Sequence, residues 1–378
     1  MKVDLKNVIE NDFEEEIYNY YENKIIKYLK EYGETTFWDI IKNVGGSERR
    51  MIRLLNEMVS VGEISFNNSK FYLKNEKNFI SNCLCKECNG KRVNIDAFEN
   101  IMETLKTIWQ NKPKATFYFD QRPVTLKTTL RRVAYLMSNE DIKNKKIIML
   151  GDDDLTSIAL ALLKLDCEVV AVDADERLIQ YINEVAKKYN LNLKGIVYNA
   201  LNDTSEELKG KFDVLMTDPT PEKIPFTLFM NRAIELTKGE GSIIYTSIYS
   251  SAMKKTLDLQ KIITDMNLYI TDIIPRFTEY QSILELYTEN DLKLFKKYGV
   301  TFNEDSICFT ESLFRMEVTN ETKKIKFKYK GSDIFGKATK RTIKDSKNDV
   351  QADKKDSEYL KKVQESLSEN SEKYYESE

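Results

Sequence analysis

Three adjacent carboxylates follow directly on an apolar run: Ile147-Ile148-Met149-Leu150 leads into Gly151-Asp152-Asp153-Asp154-Leu155-Thr156-Ser157. A nucleotide-binding sheet has its glycine-rich turn at that place, and three acids in it are unusual. S-adenosylmethionine would bring a carboxylate to such a turn and be repelled. Its decarboxylated form carries only positive charge, on sulfonium and ammonium, and would be drawn in, with Gly151 and Asp153 lining its seat. One unit-charge pair at about 4 Å is worth ~1 to 4 kcal/mol between bulk-water and surface-like dielectrics, enough to choose between the two donors. A helix N-cap is the plainer use for Asp154, but one Asp is sufficient for that. A divalent metal would compete for the same oxygens and repel a cationic donor, so metal is not required here, though metal bound elsewhere stays open.

Further polar residues fall where a nucleoside and an amine would need them. Asp173 ends the run Val169-Val170-Ala171-Val172, about twenty residues after the first turn, where an acid grips ribose hydroxyls. Asp175 reads as the cap of the next helix. Asn199 or Asp203 could hold the adenine edge, or mark only a loop. Asp218-Pro219 is a corner for a nitrogen nucleophile beside the sulfonium, or a turn before proline. The corner lacks an aromatic to stack a flipped base, which argues against a nucleic-acid amino-methyltransferase. Upstream, Phe117-Tyr118-Phe119-Asp120-Gln121 offers aromatic faces, a carboxylate and an amide to an alkylammonium chain, with Tyr118, Asp120 and Gln121 as contacts. Glu279-Tyr280 is a weaker candidate for a far amine. The 378 residues contain no histidine, so proton transfer falls to Asp, Glu, Tyr, Lys or Cys.

The elements needed to position these groups are visible as an α/β pattern. Strands are predicted at Lys146–Leu150, Glu168–Val172, Leu193–Tyr198, Phe212–Thr217 and Gly241–Thr246. Helices are predicted at Leu155–Lys164, Glu176–Tyr189, Phe226–Leu236 and Ala252–Met266. Strands at Tyr269–Pro275 and Phe314–Thr319 would complete a methyltransferase-type, Rossmann-like sheet within a catalytic domain over 116–336. Residues 1–80 read as a winged helix-turn-helix with Arg49, Arg50 and Arg53 on its third helix. That module either meets DNA or only packs on the enzyme or dimerises it, and a homodimer is expected. A linker over 81–115 carries Cys83, Cys85 and Cys88, three soft ligands without a visible fourth, so a metal-free loop is favoured over a zinc site. Cys167 and Cys308 read as core. Residues 337–378, charged and poor in aliphatics, are expected to form a flexible tail.

Net charge is −3, from 58 basic and 61 acidic residues, so no global field recruits nucleic acid or an anionic membrane. No 18-residue apolar stretch or signal region is present, and a reducing, cytoplasmic setting fits the cysteine usage.

Taken together, Asp120-Gln121, the Gly-Asp-Asp-Asp loop at 151–154 and Asp218-Pro219 resemble the branched-chain polyamine synthases, or N4-bis(aminopropyl)spermidine synthases. The resemblance covers most of the chain, although Thr220 stands where the family has a second proline. It implies two successive aminopropyl transfers from decarboxylated S-adenosylmethionine to the internal nitrogen of spermidine, release of methylthioadenosine, and a thermophilic source. In that chemistry the attacking amine must lose a proton, a role assigned to Asp154, while Asp218 and Asp152 orient the amine and stabilise its charge. Two other functions compete: an S-adenosylmethionine-dependent methyltransferase acting on an amine or nucleic acid, and a winged-helix regulator that senses polyamines without turnover.

Overall fold

The computed structural model describes residues 15–74, 85, 88, 90–116, 119, 121–249, 253–283, 287–303, 306–330 and 372–375. Two compact units divide them: one drawn from Met1–Lys91, Tyr249–Met253 and Pro275–Glu311, the other from Arg92–Ile248, Lys254–Ile274 and Ser312–Glu378.

The first unit opens with three helices, α1 (Glu15–Tyr32), α2 (Phe37–Val44) and α3 (Glu48–Ser60), followed by a hairpin of β1 (Ser65–Asn67) and β2 (Lys70–Tyr72). Helix α2 starts where it does because Thr36 and Asp39 form a reciprocal capping box. The second unit begins with α4 (Glu99–Gln110) and α5 (Leu126–Ser138). Within the 81–115 segment expected as a linker, Ile101, Leu105 and Ile108 recur at helical spacing and are buried along one side of α4. There follow β3 (Lys145–Leu150), α6 (Thr156–Leu162), β4 (Cys167–Asp173), α7 (Glu176–Tyr189), β5 (Leu193–Val197), β6 (Val214–Thr217), α8 (Lys223–Leu236), β7 (Ile243–Tyr249), α9 (Met253–Asp265), β8 (Tyr269–Gln281), α10 (Glu289–Lys297) and β9 (Ile307–Glu317).

The central sheet has seven strands in the order β5-β4-β3-β6-β7-β9-β8. Its first five members are joined by parallel ladders, and Ile147–Leu150 and the whole of β6 are buried, as strands covered on both faces must be. Strand β9 runs the other way: Gly241 N–H donates to Val318 O and Val318 N–H to Ser242 O, both at 2.9 Å, so the start of β7 meets the end of β9. The fold is thus α/β with a mixed sheet. Strands β8 and β9 run longer than their apolar stretches, because the polar side chains of Thr278, Glu279, Thr310 and Glu311 are buried in them.

Helix α10 belongs to the first unit, where Phe295 and Tyr298 join the core built from Ile25, Leu29, Ile40, Met51 and Leu55. Four residues of the expected flexible tail stand in a strand, β11 (Glu372–Tyr375), paired antiparallel with β10 (Phe327–Lys330). The rest of 337–378 lies outside the described residues. No helix among the described residues is long and apolar enough to cross a membrane.

Candidate active site

Parallel strands end on one edge of their sheet, and the loops that leave β3, β4 and β6 there bring together acids far apart in sequence. Leu150 pairs with Val172 on one side and Thr217 on the other, so Gly151–Asp154, Asp173 and Asp218 must be neighbours. Thr217 Oγ1 donates to Leu150 O at 2.8 Å and ties two of these strand ends together. Gly151 takes φ 80°, a left-handed conformation that turns the chain sharply off the strand, and Leu155 (φ 55°) turns it again into α6.

Each carboxylate of the loop has a different setting. Asp152 is buried and accepts from Ser157 through both its N–H and its hydroxyl. Burial pushes its carboxyl up to about 7; the charges of Asp154 and Asp173 act in the same direction, and the Ser157 hydrogen bonds oppose them. Asp153 is half-buried, and its Oδ2 is a buried oxygen with no hydrogen-bond partner among the described residues. Burial and then the neighbouring Asp154 hold its carboxyl well above the usual carboxylate range. Asp154 is buried, with Oδ1 accepting from Val124 N–H at 3.0 Å and Oδ2 ion-paired with Arg132. The same guanidinium reaches Asp218 through its other terminal nitrogen. One buried arginine thereby clamps two loops, using the planar fork that lysine lacks.

Asp173 accepts from Asp152 N–H at 3.1 Å and Asp175 N–H at 2.9 Å, and burial raises its carboxyl to about 6. Asp175 caps α7 through Arg177 N–H, as the sequence implies. Gln121 is buried: its carbonyl accepts from Thr116 N–H and its amide donates to Asp175 Oδ2 at 3.2 Å. Asn199 is half-buried and serves a local turn, its Oδ1 accepting from Leu201 N–H at 2.9 Å. The Asp203 side chain is fully exposed, 3.6 Å from Arg232. Pro219 is buried behind Asp218. Tyr118 and Asp120 lie outside the described residues.

Glu279 and Tyr280 belong to the first unit. Glu279 is ion-paired with Lys91 at 2.9 Å, both side chains nearly inaccessible, and Tyr280 donates to Glu311 and stacks on Phe309. Both are thus committed to internal partners, a setting that an exposed amine contact would not need. Cys85 is exposed and Cys88 half-buried, while Cys83 lies outside the described residues; Cys167 and Cys308 are buried in the core. No group of three or more Cys, Asp or Glu among the described residues is arranged to hold a metal ion.

The site also holds two basic residues, Arg132 and Lys112, that no motif in the sequence points to. Arg132 sits on the buried side of α5, one turn from Thr128, Thr129 and Leu136, and a lone guanidinium on an apolar helix face is a legible sign of a buried acidic partner. Lys112 follows α4; its ammonium donates to the carbonyl of Asp153 and lies 4.6 Å from the centre of the Trp109 ring. Burial pushes this ammonium's pKa down, and the charges of Asp153, Asp154 and Asp152 oppose that shift. Lys112, Gln121, Asp153, Asp175 and Leu178 line a shallow pocket beside the loop. The arrangement favours a cationic ligand and holds carboxyl groups able to exchange protons near neutral pH.

Residues 100–339 match the branched-chain polyamine synthase A C-terminal domain. The chain is 32% identical over 285 residues to an N(4)-bis(aminopropyl)spermidine synthase of Methanocaldococcus jannaschii, covering 72% of this chain and 80% of that one. A protein of the same name from Thermococcus kodakarensis is 32% identical over 61% of this chain and 69% of its own. The crystal structure of the branched-chain polyamine synthase from Thermus thermophilus, in complex with N4-aminopropylspermidine and 5'-methylthioadenosine, shares the fold with a TM-score of 0.62 at 22% identity, covering 81% of this chain and 88% of that one.

Proposed function

Because the chain belongs to the branched-chain polyamine synthase family, we propose that it transfers aminopropyl groups successively from decarboxylated S-adenosylmethionine to the internal nitrogen of spermidine. The observation that carries this reading is the run of acids at the mouth of the sheet, where Asp153 Oδ2 has no partner among the described residues. The names of the relatives and the product and methylthioadenosine bound by the Thermus enzyme support it.

In the first transfer the protonated secondary amine gives its proton to a carboxylate. Its lone pair then attacks the methylene carbon beside the sulfonium. The carbon–nitrogen bond forms as the carbon–sulfur bond breaks, the bonding pair passes to sulfur, and neutral 5'-methylthioadenosine leaves. Positive charge moves from sulfur to nitrogen, and fixed carboxylates stabilise it there without reorganising. A second transfer makes a quaternary nitrogen, which only surrounding negative charge can favour.

The geometry supports a different division of labour from the one the sequence suggested. Asp154, with its oxygens taken by Val124 and Arg132, orients the loop and supplies negative charge. Asp153, whose buried Oδ2 has no hydrogen-bond partner among the described residues, is the proton acceptor. Asp218, held by the same arginine, directs the amine, and Asp152 and Asp173 shape the donor's seat. In the first unit, three helices and a hairpin support a winged-helix reading, in which the pairing of Arg49 and Arg53 with Asp291 favours packing over DNA contact.

Mass analysis of products tests the proposal. Spermidine with the decarboxylated donor should gain one or two aminopropyl units, and ordinary S-adenosylmethionine should give no product. Asp153→Asn should lower kcat by roughly 10²- to 10⁴-fold while the protein stays folded; Asp154→Asn should lose activity and stability together. Equal turnover with ordinary S-adenosylmethionine would refute the donor assignment.

A further inference from the structure

Lys112 is a cation already seated where the proposed ligand's charge would go. Its ammonium is held by a backbone carbonyl, that of Asp153, and by the face of Trp109, within the field of the three loop acids. A carbonyl acceptor, an aromatic face and nearby negative charge are what a primary alkylammonium requires. Two further features matter. Lys112 makes its hydrogen bond to the main chain of Asp153, and the buried Oδ2 of the same residue has no partner among the described residues. The seat is therefore filled without being used up, and the lysine that fills it is carried on a flexible four-carbon stem.

We infer that Lys112 is a resident counter-ion that stands in for the ligand's terminal ammonium and must be displaced when that ammonium binds. The inference rests on the polyamine reading above and assigns Lys112 a role in setting affinity at the same site. In the ligand-free protein the lysine offsets part of the repulsion among Asp152, Asp153 and Asp154. On binding, an ammonium from either the donor's aminopropyl arm or the polyamine takes over the carbonyl and adds a bond to Asp153 Oδ2. Occupation of the seat by Lys112 weakens the apparent affinity by the fraction of time it is closed. The lysine thus excludes ligands too weakly charged to displace it.

The test uses the full chain and calorimetric titration of spermidine, the decarboxylated donor and 5'-methylthioadenosine, in wild type and in Lys112→Met and Lys112→Arg. Lys112→Met keeps the stem and removes the charge. It should tighten whichever ammonium ligand uses the seat by on the order of five- to tenfold. It should leave methylthioadenosine, which has no ammonium, unchanged. Lys112→Arg should stay within about twofold of wild type or bind more weakly. The melting temperature of ligand-free Lys112→Met should fall, and the rise on adding the ligand should exceed that of wild type. A merely structural lysine would lower the melting temperature with ammonium affinities unchanged or weaker, and that result overturns the inference while leaving the polyamine reading standing. Failure of wild type and variants alike to bind spermidine or the donor would overturn both.

Discussion

Two regions of this chain gather charge, and they treat it in opposite ways. In the first unit, Arg49 and Arg53 of α3 converge on Asp291 of α10, whose fully buried carboxylate takes one guanidinium on each oxygen at 3.0 and 2.8 Å. The same carboxylate completes the capping box of its own helix with Thr288. In the second unit, Asp152, Asp153, Asp154, Asp173 and Asp218 crowd one sheet edge with Arg132 and Lys112 among them, and the buried Asp153 Oδ2 has no hydrogen-bond partner among the described residues. Charge paired directly with opposite charge holds elements together. Charge left in excess in a desolvated place stores a demand for a ligand of the opposite sign.

Removing Arg132 is the strongest way to break this contrast. Arg132→Met leaves Asp154 and Asp218 facing each other without their clamp. It should cost about 3 to 5 kcal/mol, as loss of one partner from a buried ion pair does, read from the urea unfolding midpoint. A cost within about 0.5 kcal/mol, the scale of ordinary surface substitutions, would mean that the acids relax into water and the excess is illusory. In the first unit, Asp291→Asn should cost less, about 1 to 3 kcal/mol, because each arginine side chain is already about a third exposed, at 34% and 32%, and solvent takes over part of the pairing. A gain in non-specific DNA binding by this variant would reveal arginines that the aspartate had been masking.

The smallest effect sharpens the comparison through pH. Asp152 has its carboxyl raised to about 7 when folded, against about 4 when unfolded. A raised carboxyl means that the folded state binds more protons across that window. The stability it contributes is complete below about pH 4 and is lost as pH rises towards 7. Thermal melts of the ligand-free protein should therefore decline over that range, and Asp152→Asn should flatten the slope. Asp291 behaves oppositely: hydrogen bonds from Arg53 and Thr288 outweigh its burial and hold its carboxyl below the usual range. Its stabilisation is present above about pH 4 and lost as the pH falls below that. A melt that rises steadily from pH 4 to 7 would contradict the excess-charge account of the loop.

Much of this is legible in the amino-acid sequence. An apolar run ending in Gly-Asp-Asp-Asp can only be a strand that delivers its acids to the edge of a sheet, and Val169–Asp173 and Leu215–Asp218 repeat that grammar. Helix α7 begins and ends where its cap and periodicity put it. Pattern misled where polar residues are buried, as along β8 and β9, since periodicity registers apolarity and not burial. It also passed over α4, whose short apolar stripe lies next to a cysteine-rich segment that drew the reading elsewhere.

What the amino-acid order determined by itself is the kind of chemistry on offer: acids at strand ends, no imidazole, and a sheet to hold them, all set by local spacing. Which of those acids is engaged and which is available was decided only by the tertiary structure. Arg132 lies 22 residues before Asp154 and 86 before Asp218, and Lys112 lies 41 residues before the carbonyl that holds it. Their meeting depends on packing of α4 and α5 against α6, and no local pattern encodes the distance between two charges brought together by folding.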